Sequence, residues 1–211
     1  MTSTTAMKIE KIEPSKHKQG RVLVFLEEGT LLRITEQELL RFDLRPGMDL
    51  SAADVVQLKK SGGASEARAK GAEMIGRQML SKKELTGRLV KKGAEEKDAQ
   101  DAADWLEDLG AVNDAAYAAA LARRCAAGGY GRLRLREELR RRGVPEALWD
   151  QAFALLPPAE EAVAVLVAKK YRGGSDPKAV KRLSESLMRR GFTWQEIRPV
   201  LRRLTDEIDE T

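Results

Sequence analysis

Leu85-Thr-Gly-Arg-Leu89-Val-Lys-Lys-Gly93-Ala94 has two counterparts further along the chain, Leu135-Arg-Glu-Glu-Leu139-Arg-Arg-Arg-Gly143-Val144 and Leu183-Ser-Glu-Ser-Leu187-Met-Arg-Arg-Gly191-Phe192. Leucines four apart share one face of a helix, and a Gly four residues later supplies the left-handed residue that ends it. Cations precede each Gly (Lys91 and Lys92, Arg140 to Arg142, Arg189 and Arg190), where they oppose the negative end of the helix dipole. One copy predicts only a helix and its stop. Three copies, with glycines 50 and 48 residues apart, predict a repeat architecture.

Each copy sits second in a group of three helical segments. In the first group an Ala-rich segment, Glu66 to Met79, precedes it, and Glu95 to Leu109 follows with Ala99, Ala102, Trp105, Leu106 and Leu109 at helical spacing. The second group runs through Asp114 to Leu121, Leu133 to Arg142 and Pro145 to Leu156. The third runs through Glu160 to Tyr171, across Gly173-Gly174-Ser175-Asp176, then Pro177 to Arg190 and Thr193 to about Asp209. Trp105, Trp149 and Trp194 recur on equivalent third helices, which assigns them to the core. Short helices cannot hide their apolar faces alone, so stacked groups predict an elongated, curved array with a long binding face.

Upstream the pattern changes. Lys8 to Glu13 and Arg21 to Leu26 alternate as strands, Glu28-Gly29 closes a turn, and Thr30 to Ile34 returns, which predicts a small antiparallel sheet. Thr35-Glu-Gln-Glu38 is a capping box for a short helix, and Ser51 caps another reaching Lys60. Ser61-Gly-Gly-Ala-Ser65 alone has the composition of a flexible linker, so the domain boundary is placed there. The expected organisation is therefore mainly α: a strand-and-helix domain over 1–64, then a helical domain over 65–211 in three repeats of about 65–112, 113–158 and 159–211.

The formal charge of +5 and a pI near 9.3 favour a polyanionic partner. The longest purely apolar run, Ala162 to Ala168, is far short of a membrane span, and no secretion signal is evident at the start. Cys125 is alone, which excludes an internal disulfide, and a single His, His17, with one Cys excludes a Cys/His zinc site. A cytoplasmic protein without metal or cofactor is expected. His17 lies between lysines with no acid or Ser partner, and Gly128-Gly-Tyr-Gly131 lacks the spacing and the Lys-Ser/Thr of a nucleotide loop, so the chain does not read as an enzyme.

The charge concentrates between Arg123 and Arg142. Eight arginines (Arg123, Arg124, Arg132, Arg134, Arg136, Arg140, Arg141, Arg142) stand against Glu137 and Glu138, a local net of +6. Arg132, Arg136 and Arg140 form a stripe beside Leu135 and Leu139, and guanidinium groups grip phosphate or carboxylate through paired hydrogen bonds. This is more charge than a helix end requires, so the segment is the candidate contact face. Lys91, Lys92, Arg189 and Arg190 read first as caps and only second as contacts. Tyr130, surrounded by glycines, is the candidate exposed aromatic.

With these residues in hand, the chain resembles the RecX family, regulators of the bacterial recombinase RecA. The resemblance rests on the three Leu/Leu/Gly helices, on Leu109-Gly-Ala-Val-Asn113-Asp114-Ala-Ala-Tyr117-Ala118, and on Gly131-Arg-Leu-Arg-Leu-Arg-Glu-Glu-Leu139-Arg-Arg-Arg-Gly143. It covers roughly residues 65 to 205. The family usually carries an acidic pair where Asn113-Asp114 stands, a helix-cap position that Asn fills as well as Asp. What the resemblance implies is a monomeric regulator that lies in the groove of a RecA filament on single-stranded DNA, lowers its ATP hydrolysis and strand exchange, and hinders filament growth in DNA repair, recombination and the SOS response. The competing reading is an independent helix-turn-helix-like DNA-binding protein, which would gather Arg, Asn or Gln at the start of a recognition helix.

Overall fold

Alternating burial builds the N-terminal sheet. In the computed structural model, which describes residues 6–16, 19–170 and 177–209, strands β1 (Met7–Pro14), β2 (Arg21–Leu26), β3 (Leu31–Thr35) and β4 (Asp49–Leu50) order as β3-β2-β1-β4. All pairings are antiparallel. Val22 faces Ile34 and Val24 faces Leu32, which puts the β-branched side chains of both strands on the buried face. His17 and the 171–176 crossing lie outside the described residues.

The Thr35 capping box forms as expected and opens α1 (Glu36–Arg41): Glu38 N–H donates to Thr35 Oγ1 at 3.2 Å, and Thr35 N–H donates to the Glu38 carboxylate at 2.8 Å. Ser51 caps α2, but this helix does not stop at Lys60. It runs unbroken from Ala52 to Arg77. Ser61-Gly-Gly-Ala-Ser65 is thus helix interior rather than a linker, and the expected break at residue 64 is corrected. The small residues serve packing. A Cβ on Gly62 would lie 2.5 Å from the Arg33 carbonyl oxygen, and one on Gly63 would lie 2.5 Å from the Asp98 carboxylate. Ser61 and Ser65 hydroxyls both donate to Glu38 Oε1, at 2.5 and 3.0 Å, which satisfies a buried carboxylate.

The chain divides into two compact units, Met1–Gln78 with Leu85–Val112, and Met79–Glu84 with Asn113–Thr211. In the first, the sheet core of Ile9, Val22, Val24, Leu26, Leu32 and Ile34 is closed by Val55 and Leu58 of α2. Further along α2, Gly71 admits Leu85 and Leu89 of α3 (Lys82–Lys91) and Leu106 of α4 (Glu96–Asp108). The second unit holds α5 (Asp114–Ala127), α6 (Arg132–Arg142), α7 (Trp149–Phe153), α8 (Ala159–Lys170), α9 (Pro177–Arg189) and α10 (Trp194–Asp209). Pro145 leads into a 3-10 turn at Glu146–Leu148, so the helix expected from Pro145 is the shorter α7.

The three Leu/Leu/Gly helices behave alike. All six leucines are buried, and Gly93, Gly143 and Gly191 have φ of +88°, +68° and +88°. The residue after each Gly donates to the carbonyl of the second Leu: Ala94 to Leu89, Val144 to Leu139 and Phe192 to Leu187, at 3.1, 3.0 and 3.3 Å. Each Gly donates to the next carbonyl (Val90, Arg140, Met188), which completes the Schellman closure and satisfies carbonyls that the helix leaves over. The tryptophans do not repeat in this way. Trp149 is 7% exposed and donates to the Val144 carbonyl at 3.0 Å, whereas Trp105 and Trp194 are 38% and 52% exposed. Their assignment to the core is therefore corrected for two of the three: Arg68 lies over the Trp105 ring, 5.5 Å from its centroid, and keeps that indole at the surface.

Candidate binding surface

Helix α6 owes its orientation to both of its ends. Leu135 and Leu139 are fully buried with Tyr117, Leu121 and Cys125 of α5 and with Trp149 of α7, so the remaining faces turn outward. Its first N–H groups are taken by the end of α9. Gly131 N–H donates to the Arg190 carbonyl at 2.9 Å and Leu133 N–H to the Gly191 carbonyl at 3.1 Å. An α6 N-terminus held in this way does not present the free leading turn with which a recognition helix reads base edges.

The arginines of the basic segment have different surroundings. Arg123, Arg124, Arg136 and Arg140 are exposed and form no ion pair among the described residues. Arg132 is also exposed, with its guanidinium 4.2 Å from the Phe153 centroid and 3.6 Å from Asp150. Arg134 pairs with Glu137 at 2.8 Å and Glu138 at 3.3 Å, and Arg141 pairs with Glu138 at 2.5 Å. Burial alone would raise the Glu138 pKa, but Arg141, Arg134 and Arg142 together hold it below the ordinary carboxylate range.

Arg142 has a structural occupation, which sets it apart from the other arginines assigned to the contact face. It is half-buried, donates to Glu84 Oε1 at 2.8 Å and to the Tyr117 hydroxyl at 3.2 Å, while that hydroxyl donates to Glu84 Oε2 at 2.8 Å. The Arg142 carbonyl accepts from Ser81 Oγ at 2.5 Å. The hydrogen bond to Glu84 raises the Arg142 pKa, and burial followed by the same glutamate raises that of Tyr117, so the arginine stays charged and the phenol neutral at pH 7. Sequence reading missed this network because Arg142, Tyr117 and Glu84 lie 25 to 58 residues apart.

Arg124, Arg134, Arg141 and Arg142 line a cleft of about 270 Å³ together with Leu121, Cys125, Tyr130 and Glu138. Burial pushes the Cys125 thiol pKa up, which leaves it an inert neutral wall. Tyr130 is 39% exposed, as its glycine surroundings suggested, but its ring is shared with Arg190, whose guanidinium carbon is 5.3 Å from the centroid. Arg190 also donates to the Gly128 and Gly129 carbonyls at 2.8 and 3.2 Å. It therefore caps α5 rather than its own helix. Arg189, Lys91 and Lys92 are exposed. Among the described residues no group of three or more His, Cys, Asp or Glu side chains stands close enough to hold a metal ion, and no helix is long and apolar enough to cross a membrane.

Known proteins of one family match the chain both in sequence and in fold. A family model described as RecX, second three-helix domain, matches residues 113–152, which contain α5, α6 and most of α7. The regulatory protein RecX of Xanthomonas axonopodis pv. citri (strain 306) is 33% identical over 132 residues, covering 61% of this chain and 82% of that protein. That of Geobacillus kaustophilus (strain HTA426) is 30% identical over 188 residues, covering 85% and 70%. A crystal structure of regulatory protein RecX superposes with a TM-score of 0.67 at 22% identity, over 92% of this chain and 98% of that one, and so shares the fold.

Proposed function

Because this chain belongs to the RecX family of regulatory proteins, we propose that it binds the RecA filament on single-stranded DNA and inhibits its ATP hydrolysis, strand exchange and growth, acting in the cytoplasm without metal or cofactor. One observation carries the choice of contact face. Arg123, Arg124, Arg136 and Arg140 are exposed arginines with no ion pair among the described residues, on the two helices at the centre of the family match. Guanidinium groups left unpaired in solution keep their bidentate donors for carboxylates of a protein partner or phosphates of its DNA. The occupied N-terminus of α6 supports this reading over an independent duplex reader. The test is the ATPase of RecA on single-stranded DNA, titrated with this protein at fixed salt. Inhibition that saturates supports the proposal; an ATPase indifferent to the protein at any ratio overturns it.

A further inference from the structure

The first unit carries a second basic site, which the function above does not use. Where α2 ends and α3 ends, Met74, Arg77, Gln78, Arg88, Lys91 and Lys92 line a groove of about 340 Å³. Four of these six residues are cations and none is a carboxylate; of the four, Arg77 is paired with Glu73 at 2.6 Å. Arg88, Lys91 and Lys92 make no ion pair among the described residues. Nor are they needed to finish their helix. The Schellman bonds close α3, and the Lys92 carbonyl already accepts from Lys70 Nζ at 3.2 Å. The surplus charge is therefore available to a ligand.

We propose that this groove binds the backbone of a single-stranded nucleic acid. Lysine ammonium groups are point charges suited to phosphates in any sequence, and no carboxylate is free in the groove lining to select a cationic partner. The Met74 side chain and the aliphatic stems of the cations give the groove an apolar wall, which accommodates the exposed base and sugar of a single strand; a duplex keeps its bases stacked inside. The inference rests on the functional reading only in naming the strand on which a RecA filament forms.

The test uses the full chain and a short fluorescent oligothymidylate, with anisotropy followed across a salt series. With about 0.7 counterions released per phosphate contact on a single strand, R88A/K91A/K92A is expected to reduce the salt slope by about 2 and to weaken binding about a hundredfold near 0.1 M salt. Should that variant lose helix by circular dichroism, K91Q/K92Q, at two exposed positions, is expected to reduce the slope by about 1.4. R136A/R140A on the second unit is expected to change it less than the groove triple does. An unchanged slope in the folded groove variant overturns the site, and a duplex of equal length bound as tightly as the single strand overturns the ligand class. If the parent binds the oligonucleotide through the groove yet leaves the RecA ATPase untouched, the functional reading falls and the groove stands. If the parent inhibits while the groove variant binds as before, the groove alone falls.

Discussion

Gly191 and Gly93 occupy the same place in their repeats and share φ of +88°, yet their surroundings differ. A Cβ on Gly93 would meet nothing within 4 Å, whereas one on Gly191 would strike the backbone nitrogen and Cα of Arg134. Gly93→Ala is therefore expected to cost only the left-handed strain, about 1 to 2 kcal/mol. Gly191→Ala adds a clash with rigid backbone and is expected to cost about twice that or more, seen as a clearly larger fall in Tm. Equal melting of the two variants would refute the close approach. A second single-residue test is Glu66, whose pKa the hydrogen bond from Arg21 lowers from 4.5 to about 2, against the effect of burial and with help from Lys70 at 2.9 Å. A folded-state pKa below the unfolded one stabilises above about pH 4.5, and this stabilisation is lost as pH falls towards 2. Glu66→Gln is expected to be less stable than the parent by about 1 kcal/mol near neutral pH, since water still screens the pair. In denaturant titrations the gap should close between about pH 4.5 and pH 2. A gap independent of pH would place the effect in packing instead.

Helix α2 shows where composition misleads and geometry decides. Its central Ser-Gly-Gly-Ala-Ser run has poor helix propensity, and nothing in the local sequence reveals that Glu38, 23 and 27 residues earlier, takes both serine hydroxyls, or that the Arg33 carbonyl fills the space beside Gly62. The Leu/Leu/Gly helices were legible because leucine spacing, terminal Gly and cation all reside within ten residues. The exposure of Trp105 and Trp194 was not, since it depends on which neighbours reach each ring. Two measurements follow for α2. Amide exchange at residues 61–65 should be slow, comparable to the rest of the helix, whereas a linker would exchange at once. Gly62→Ala should destabilise despite the gain of up to about 1 kcal/mol that Ala brings to a helix interior, while Gly87→Ala in α3, where nothing lies within 4 Å, should stabilise by about 0.5 to 1 kcal/mol. Stabilisation by both would mean that Gly62 has room, and that the packing argument is wrong.

For the whole molecule, the question is which of the eight arginines serve the fold and which serve the partner. Sequence located the basic segment because the charges are contiguous, but it treated the arginines as equivalent; their carboxylate partners, some close and some far along the chain, separate them. Arg142→Ala leaves Glu84 and Tyr117 half-buried without their cation, and is expected to cost about 2 kcal/mol of stability. Arg136→Ala with Arg140→Ala removes exposed groups that form no ion pair among the described residues, and Ala favours the helix, so the melting temperature should stay within a degree or two of the parent. If those two arginines grip carboxylates or phosphates of a RecA filament, removing each charge-assisted hydrogen bond weakens binding by about 1.5 kcal/mol or more, and the pair should raise the concentration for half-inhibition of the ATPase by about a hundredfold. The salt dependence of inhibition should flatten in the same variant, because fewer counterions are exchanged. Arg142→Ala, assayed well below its lowered melting temperature, should inhibit nearly as the parent does. The opposite pattern, full inhibition by the folded Arg136/Arg140 variant and none by folded Arg142→Ala, would move the binding surface from the exposed stripe into the Glu84 network and sink the assignment made for α6.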